Sequence, residues 1–182
     1  MSLKVCLAGA TGWAGSELAR GIAASGDLEL VAAVSRRHAG QALGGALGDA
    51  AIAAPVFASA AEALARPCDV FVEYTHPDAA RANVLAALEH GAPVVVGTSG
   101  LGDEDYAQID AAARRHGRGV LACGNFALTA VLLIKFAEMA AKILPQWEII
   151  DYAYAGKPDA PSGTVRELAM RMGRQRQPAL EV

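Results

Sequence analysis

The sequence lacks most of the features that mark secreted, membrane-spanning and nucleic-acid-binding proteins. Its three cysteines, Cys6, Cys68 and Cys123, form no C-x-x-C pair and no even disulfide framework, which favours a reduced, cytoplasmic setting. No apolar run approaches the roughly 20 residues of a membrane-spanning helix, and no basic segment with a long apolar stretch opens the chain, so we expect neither a membrane span nor a signal peptide. The net charge of −3 offers no electrostatic basis for binding nucleic acid or an anionic membrane.

The four histidines are scattered without the spacing of metal ligands, so we predict no metal site. His90 and His116 precede glycines at predicted helix ends, where a cation suits the helix dipole, and we interpret both as structural. His76 lies at a predicted strand end, and for it a structural and a functional interpretation both stay open.

The composition is that of a globular protein, with 53% hydrophobic and 19% charged residues in 182 residues. That length suffices for one hydrophobic core and part of a second.

Apolar strands alternate with helical patterns over the first two thirds of the chain. The pattern predicts strands at 4–8, 28–34, 70–74, 93–96 and 119–122, and helices at 15–25, 60–64, 77–90 and 104–116. Near-continuous apolar strands between amphipathic helices favour a parallel sheet covered on both faces. We therefore predict an α/β fold, a Rossmann doubly wound parallel sheet, as a dinucleotide-binding domain over residues 1–124.

The pattern changes after this domain. Residues 128–144 predict one long helix, Trp147 to Tyr154 a strand, and a Gly/Pro-rich loop leads to a final helix from about Thr164. We interpret residues 125–182 as the start of an α+β domain for substrate binding and oligomerisation, which we expect to be incomplete.

A glycine-rich turn directly follows the first predicted strand. Gly9, Gly12 and Gly15 form G-x-x-G-x-x-G, with Trp13 inside the turn. Glycine permits a sharp turn and close approach of the backbone to a pyrophosphate, and the N–H groups of the following helix point at the phosphates. The context favours dinucleotide binding over a tight turn without a ligand. Trp13 would either pack over the cofactor or close the domain.

The end of the second strand carries Ser35-Arg36-Arg37. NAD-selective sites usually place an acidic residue there, whereas guanidinium groups bind a 2′-phosphate through paired hydrogen bonds. The three residues favour NADP over NAD. The alternative is a solvated basic turn.

Three further strand ends carry polar or glycine residues, at 75–77, 97–100 and 124–126. Doubly wound sheets bind ligands beyond the carboxyl ends of their strands. We therefore expect these segments to line the cofactor crevice, with ordinary strand–helix turns as the alternative.

The most specific motif is Lys157 followed by Asp-Ala-Pro-Ser-Gly-Thr at 159–164. Ser162, Gly163 and Thr164 can present N–H and hydroxyl donors at a helix N-terminus, and Lys157 adds a positive charge. The motif predicts a small anionic substrate. The alternative is a helix cap formed by Asp159 or Ser162.

This motif resembles the K-x-D-A-P-S-G-T signature of the dihydrodipicolinate reductase family, and the segments at 73–77, 96–100 and 124–126 are similar to the same family. The resemblance implies NAD(P)H-dependent reduction of 4-hydroxy-tetrahydrodipicolinate in the diaminopimelate route to lysine. It also implies a dicarboxylate substrate and a homotetramer.

The candidate site residues follow from the motifs and the resemblance together. The cofactor-binding candidates are Gly9, Ala10, Thr11, Gly12, Trp13, Ala14, Gly15, Ser35, Arg36, Arg37, Thr75, Gly97, Thr98, Ser99, Gly124, Asn125 and Phe126. The substrate-binding candidates are Lys157, Ser162, Gly163 and Thr164, and the catalytic candidates are Lys157 and Tyr154.

The sequence departs from the family at the expected histidine pair, where it has Ala153 and Tyr154. Loss of a general acid typically removes about 10²–10⁴-fold in rate, and tyrosine matches neutral pH less well than imidazole. The alternatives are therefore a reductase of another cyclic imine or dicarboxylate and a non-catalytic, dinucleotide-binding regulatory protein. A semialdehyde dehydrogenase would need a nucleophilic cysteine, and Cys123 lacks the motif for that.

The chain also stops at Val182, just after the helix that follows the motif. In the family the substrate domain continues as an open mixed sheet. The sequence is therefore expected to be either a fragment or a naturally shortened protein.

Overall fold

The structure is a computed structural model that describes residues 2–153, 156 and 160–175. The chain divides into two compact units, Met1–Ala122 and Cys123–Val182. Within the described residues, no helix is both long enough and apolar enough to cross a membrane.

The first unit is built around a six-stranded sheet of order β3-β2-β1-β4-β5-β6, in which every pairing is parallel. The strands are β1 Leu3–Ala8, β2 Leu28–Val34, β3 Val56–Phe57, β4 Val70–Glu73, β5 Val94–Val96 and β6 Val120–Ala122. The helices are α1 Trp13–Ala24, α2 Leu43–Leu47, α3 Ala60–Leu64, α4 Pro77–Glu89 and α5 Asp103–His116. The strand order reverses between β1 and β4, which is the point where such sheets open a ligand crevice.

The central strand β1 shows why both faces of the sheet are covered. Val5 and Leu7 pack into one core cluster with residues of α1 and α2, and Cys6 and Ala8 pack into another with residues of α3, α4 and α5. Since successive side chains of a strand point to opposite faces, a strand that is apolar throughout needs helices on both sides. The predicted α/β, doubly wound fold is confirmed.

The elements predicted from periodicity form in the first unit, with ends displaced by at most two residues. Three short elements were not predicted: α2, β3 and a single 3₁₀ turn at Arg36–His38. The 3₁₀ turn and β3 have only two or three residues, too few for a periodic pattern, and α2 has two glycines among its five residues.

The second unit contains α6, Leu128–Ala141, and α7, Gly163–Gln175. Among the residues described there, the buried apolar ones are Ile134 and Ala141 of α6 and Met172 of α7. Arg171 of α7 forms ion pairs with Glu167, at 2.8 Å, and with Glu138 of α6, at 3.7 Å. Helix packing and this charge cluster therefore join the two helices.

The predicted strand from Trp147 to Tyr154 is wrong over the residues that the structure describes. Residues 147–153 have no regular secondary structure, and Tyr154 lies outside the described residues. A strand requires a neighbour for its backbone hydrogen bonds. Every described strand lies in the first unit, so apolar alternation alone did not suffice here.

Candidate functional site

The glycine turn between β1 and α1 is sterically restricted to glycine at two of its three positions. Gly9 has φ +80°, and a Cβ on it would lie 2.2 Å from the Tyr74 carbonyl oxygen. A Cβ on Gly15 would lie 2.0 Å from the Gly9 carbonyl oxygen, whereas one on Gly12 would lie 3.2 Å from the same atom. Gly9 and Gly15 thus permit close packing of strand and helix. Gly12 is exposed just before α1, and its N–H donates to the Gly9 carbonyl oxygen at 2.9 Å.

A cavity of about 300 Å³ lies beside this turn. We call it the strand-end cavity; its lining residues include Gly9, Thr11, Ser35, Arg36, Thr75, His76 and Asn83. The Thr11 and Ser35 hydroxyls are hydrogen-bonded at 2.8 Å, which links the glycine turn to the end of β2. Three groups of predicted cofactor residues, from the ends of β1, β2 and β4, therefore meet in one place.

The basic residues after β2 form the 3₁₀ turn Arg36–His38. Arg36 and Arg37 are exposed, and no described carboxylate lies within ion-pair distance of either guanidinium. Arg36 lines the strand-end cavity, and Arg37 is not among its lining residues. Both guanidinium groups therefore lie in exposed side chains that follow the end of β2.

The ends of β4 and β5 are joined through Glu73, the last residue of β4. Glu73 is fully buried, and its Oε1 accepts hydrogen bonds from the Thr75 N–H, at 2.6 Å, and from the Thr75 hydroxyl. The Thr98 hydroxyl lies 3.3 Å from the same oxygen. The predicted residues Thr75 and Thr98 are therefore brought together by a side chain that was not predicted.

Gly97 follows β5 and lies against the ring of Tyr74. A Cβ on Gly97 would lie 2.0 Å from Tyr74 Cζ, so this glycine gives room to the tyrosine. Ser99, which is also predicted to bind the cofactor, is exposed.

The structure bears on the open interpretations of His76, as structural or functional, and of Trp13, as a cofactor contact or a residue that closes the domain. His76 occupies the N-cap position of α4, with Nδ1 3.2 Å from Asp78 Oδ2, and it also lines the strand-end cavity. The side chain of Trp13 is 93% exposed, so it does not close the domain among the described residues. His90 caps the other end of α4, with Nδ1 2.8 Å from the Ala86 carbonyl oxygen, in keeping with a structural role.

In the second unit, Asn125 and Thr164 are in contact. Asn125 donates from Nδ2 to the Thr164 hydroxyl at 3.2 Å, and its Oδ1 accepts from the Ala127 N–H at 2.9 Å. A Cβ on Gly124 would lie 2.2 Å from Glu167 Oε2. One predicted cofactor residue and one predicted substrate residue thus share a hydrogen bond. Phe126 is 43% exposed.

The N-terminus of α7 is held by its own chain. The Ser162 N–H donates to Asp151 Oδ2 at 2.8 Å, and the Ser162 hydroxyl accepts from the Val165 N–H at 3.3 Å. Ser162 therefore has the geometry of a helix cap. Among the described residues, no backbone carbonyl outside the helix accepts a hydrogen bond from the Gly163 or Thr164 N–H.

Tyr154, Lys157 and Asp159 lie outside the described residues. Ala153 is described and is exposed.

Sequence reasoning missed Glu73, Asn83 and Asp151. A signal existed for Glu73, because a carboxylate at the end of an otherwise apolar strand must find donors when it is buried. Asn83 and Asp151 carry no such signal, since helices and loops often expose these residue types.

Known proteins resemble this chain in both sequence and fold. The family model for the N-terminus of dihydrodipicolinate reductase matches residues 3–126. The 4-hydroxy-tetrahydrodipicolinate reductase of Halalkalibacterium halodurans is 39% identical over 168 residues, which cover 92% of this chain and 64% of the relative. That of Enterococcus faecalis is 37% identical over 167 residues, covering 92% and 63%. The chain thus spans less than two thirds of the length of these curated relatives.

Two solved structures are also similar. A dipicolinate-bound dihydrodipicolinate reductase from Paenisporosarcina sp. TG-14 superposes with a TM-score of 0.81 at 30% identity, covering all of this chain and 69% of that one. GenD2 from gentamicin A biosynthesis has a TM-score of 0.71 at 21% identity, covering 96% and 54%, and shares the fold. The match of the family model over residues 3–126 and the identity to the curated relatives show that this chain belongs to the dihydrodipicolinate reductase family.

Proposed function

We propose that this protein is an NAD(P)H-dependent oxidoreductase that reduces 4-hydroxy-tetrahydrodipicolinate to tetrahydrodipicolinate, in the diaminopimelate route to lysine. The observation that carries the dinucleotide part of the proposal is the packing at the glycine turn. The sites where Cβ atoms of residues 9 and 15 would lie are filled by backbone atoms, and the turn opens onto the strand-end cavity.

The residues at the strand ends of the first unit provide groups that suit each part of a dinucleotide. The backbone from Gly9 to Gly15 (Gly9, Ala10, Thr11, Gly12, Trp13, Ala14 and Gly15) would hold the pyrophosphate, because the free N–H groups at the start of α1 favour anions. In the first unit, Thr75, Gly97, Thr98 and Ser99 would hold the ribose and nicotinamide. The family resemblance implies cofactor contacts for Gly124, Asn125 and Phe126. The bound cofactor supplies a hydride, and the protein supplies binding and orientation.

For the substrate we propose a small dicarboxylate. The described Gly163 and Thr164 N–H groups would bind one carboxylate, with Ser162 as the cap that orders them and Lys157 as the cation beside them. The Paenisporosarcina relative is described as dipicolinate-bound, which fits this class of ligand. Lys157 and Tyr154 remain the candidates for delivering a proton.

We further propose that NADP is preferred over NAD. Ser35, Arg36 and Arg37 follow β2, where the 2′-position of the adenosine ribose would lie, and neither guanidinium is engaged by a described carboxylate.

Titrations of NADPH and NADH by protein fluorescence would test this preference. Arg36→Ala should weaken NADPH binding about 10–100-fold, the loss expected for a charge-assisted hydrogen bond, and should leave NADH within about twofold. Arg66→Ala is the matched control, because Arg66 is an exposed arginine that lines a different cavity. Equal losses for both nucleotides would contradict the preference.

The reaction is tested by NADPH oxidation with freshly generated 4-hydroxy-tetrahydrodipicolinate, for the parent and for Lys157→Ala. Turnover that is lost in the variant supports a reductase that works without the histidine pair. Tight NADPH binding without turnover would contradict the proposed reaction.

NADPH binding without turnover would favour another function, and the sequence of the expected histidine pair gives a reason to consider one. Ala153 and Tyr154 stand where the family has histidines. A protein without turnover would act on another cyclic imine or dicarboxylate, or would bind dinucleotide as a regulatory partner. Assays with related cyclic imines separate these two.

The setting and assembly complete the proposal. We propose a cytoplasmic protein, supported by the free thiols of Cys6, Cys68 and Cys123. We also propose a homotetramer, which the family resemblance implies.

A further inference from the structure

Glu73 is a buried carboxylate that no assigned role explains. Its exposed fraction is 0%, and no described lysine, arginine or histidine forms an ion pair with it. Burying a carboxylate without a cation is costly unless hydrogen bonds replace its water. A well-packed apolar residue would serve the core at least as well, so a reason other than core stability is needed.

The partners of Glu73 are all donors, and they come from three different elements. Oε1 accepts from the Thr75 N–H and hydroxyl in the turn after β4, and from the Thr98 hydroxyl after β5. Oε2 accepts from Asn83 Nδ2 of α4 at 2.9 Å. A carboxylate only accepts hydrogen bonds, so it can satisfy all these donors at once.

A second set of contacts closes the same network. The Thr98 hydroxyl also lies 3.2 Å from the Thr75 carbonyl oxygen, and the Gly97 N–H donates to the Glu73 carbonyl oxygen at 2.9 Å. The turns after β4 and β5 are therefore fixed relative to each other through Glu73. Thr75 and Asn83 also line the strand-end cavity, so the network reaches its wall.

The strand order assigns this network to one half of a bound dinucleotide. The glycine turn follows β1 and the basic turn follows β2, so the adenosine half would lie over β1 and β2. The strands β4 and β5 continue from β1 on the opposite side. The other half of the ligand, with the nicotinamide, would therefore cross the turns that Glu73 holds.

We infer that Glu73 is a positioning residue, which holds the turns after β4 and β5 in the arrangement that binds the nicotinamide half of the cofactor. This inference rests on the proposed dinucleotide binding. Glu73 itself is too deeply buried to touch the ligand, and it acts through Thr75 and Thr98.

The test compares two ligands by calorimetry: NADPH, and 2′,5′-ADP, which has the adenosine half alone. Glu73→Met keeps a side chain of similar length but removes both acceptors, so NADPH should bind about 10-fold or more weakly. Binding of 2′,5′-ADP should fall by less than binding of NADPH, because Thr75 and Asn83 line the strand-end cavity but Thr98 does not. Glu73→Gln should bind NADPH within about threefold of the parent, because Oε1 is retained and the Asn83 amide can turn to accept from the new NH₂ group.

Control variants keep the test decisive. Glu89→Gln makes the same chemical change at an exposed position at the far end of α4, and it should change neither affinity. If Glu73→Met does not fold, Asn83→Leu should weaken NADPH more than 2′,5′-ADP, because it removes the donor to Glu73 Oε2 at a residue that is not among the proposed cofactor contacts.

The outcomes separate this inference from the proposed function. Unchanged NADPH affinity in a folded Glu73→Met protein, or an equal loss of NADPH and 2′,5′-ADP, overturns the positioning role while leaving the proposed function intact. Failure of the parent protein to bind NADPH, NADH and 2′,5′-ADP overturns both.

Discussion

At the scale of single residues, two glycines of α1 face opposite steric conditions. A Cβ on Gly15 would lie 2.0 Å from the Gly9 carbonyl oxygen and 3.1 Å from the Ala10 Cα. A Cβ on Gly21 would meet nothing within 4 Å. A substitution of Gly15 therefore tests close packing against the backbone. A substitution of Gly21 tests only the conformational entropy that glycine loses in a helix.

We expect Gly15→Ala to lower the free energy of unfolding by about 1–3 kcal/mol or more, because backbone atoms must move to admit the methyl group. Gly21→Ala should raise it by roughly 0.5–1 kcal/mol, since alanine loses less conformational entropy in a helix. Urea denaturation measures both. A stable Gly15→Ala protein would mean that α1 can shift away from β1.

The buried thiol of Cys6 controls the neighbouring Cys68. A hydrogen bond from Cys6 lowers the pKa of Cys68, against the opposing effect of partial burial. The pKa of Cys6 is raised by this hydrogen bond and by burial, so Cys6 stays protonated as the donor.

Cys6→Ala should therefore raise the pKa of Cys68, because the donor is removed and burial remains. The rate of Cys68 alkylation by iodoacetamide, followed against pH by mass spectrometry, should have its midpoint at higher pH in the variant. Alkylation of Cys123 in the same samples serves as the reference. An unchanged midpoint would show that the thiol of Cys6 does not act on Cys68.

At the scale of elements, α7 depends on a residue distant in sequence. Asp151 Oδ2 accepts from the Ser162 N–H at the helix N-terminus, where a negative charge also suits the dipole. By contrast, α5 carries its own charges: three acidic residues in its first turn and three basic residues in its last. The periodicity of the sequence predicts both helices, and the motif offers Ser162 as a cap of α7, but the contact of Asp151 with the Ser162 N–H is visible only in the structure.

We expect Asp151→Ala to destabilise the second unit by about 1–2 kcal/mol, since it removes a charge-assisted hydrogen bond to a helix end. In a Trp13→Phe background the remaining tryptophan is Trp147, whose fluorescence reports this unit. Glu148→Ala is the control, because Glu148 is an exposed carboxylate of the same unit with no hydrogen bond to α7 among the described residues, and its removal should leave stability nearly unchanged. Equal effects of the two changes would contradict the capping role of Asp151.

At the scale of the whole molecule, the two edges of the sheet differ. The strand β3 is a two-residue edge, and its Val56 is buried. The strand β6 pairs with β5 alone among the described strands, and its Leu121 is 54% exposed. An exposed apolar edge strand is a template for pairing with another chain.

Leu121→Lys should therefore reduce concentration-dependent self-association of this chain, measured by light scattering after size-exclusion chromatography. Leu3→Lys is a matched control, since Leu3 has the same exposed fraction of 54% but lies on β1, which is paired on both sides. Similar effects of both substitutions would indicate that net charge, rather than the strand edge, governs association.

The sequence by itself determined the α/β architecture, the positions of the main elements of the first unit and the glycine turn. These depend on local patterns, since apolar alternation defines strands, helical spacing defines helices, and a glycine triplet between them permits the turn. The family signature at 157–164 was likewise readable from its letters alone.

The tertiary structure decided which side chains meet. It joined Thr75 and Thr98 through Glu73, set Asp151 against Ser162, and left residues 147–153 without a strand. Each of these depends on partners that are distant along the chain. A buried carboxylate must be matched by donors, and a strand by a neighbour, but the sequence pattern of one segment does not identify the partner that will satisfy it.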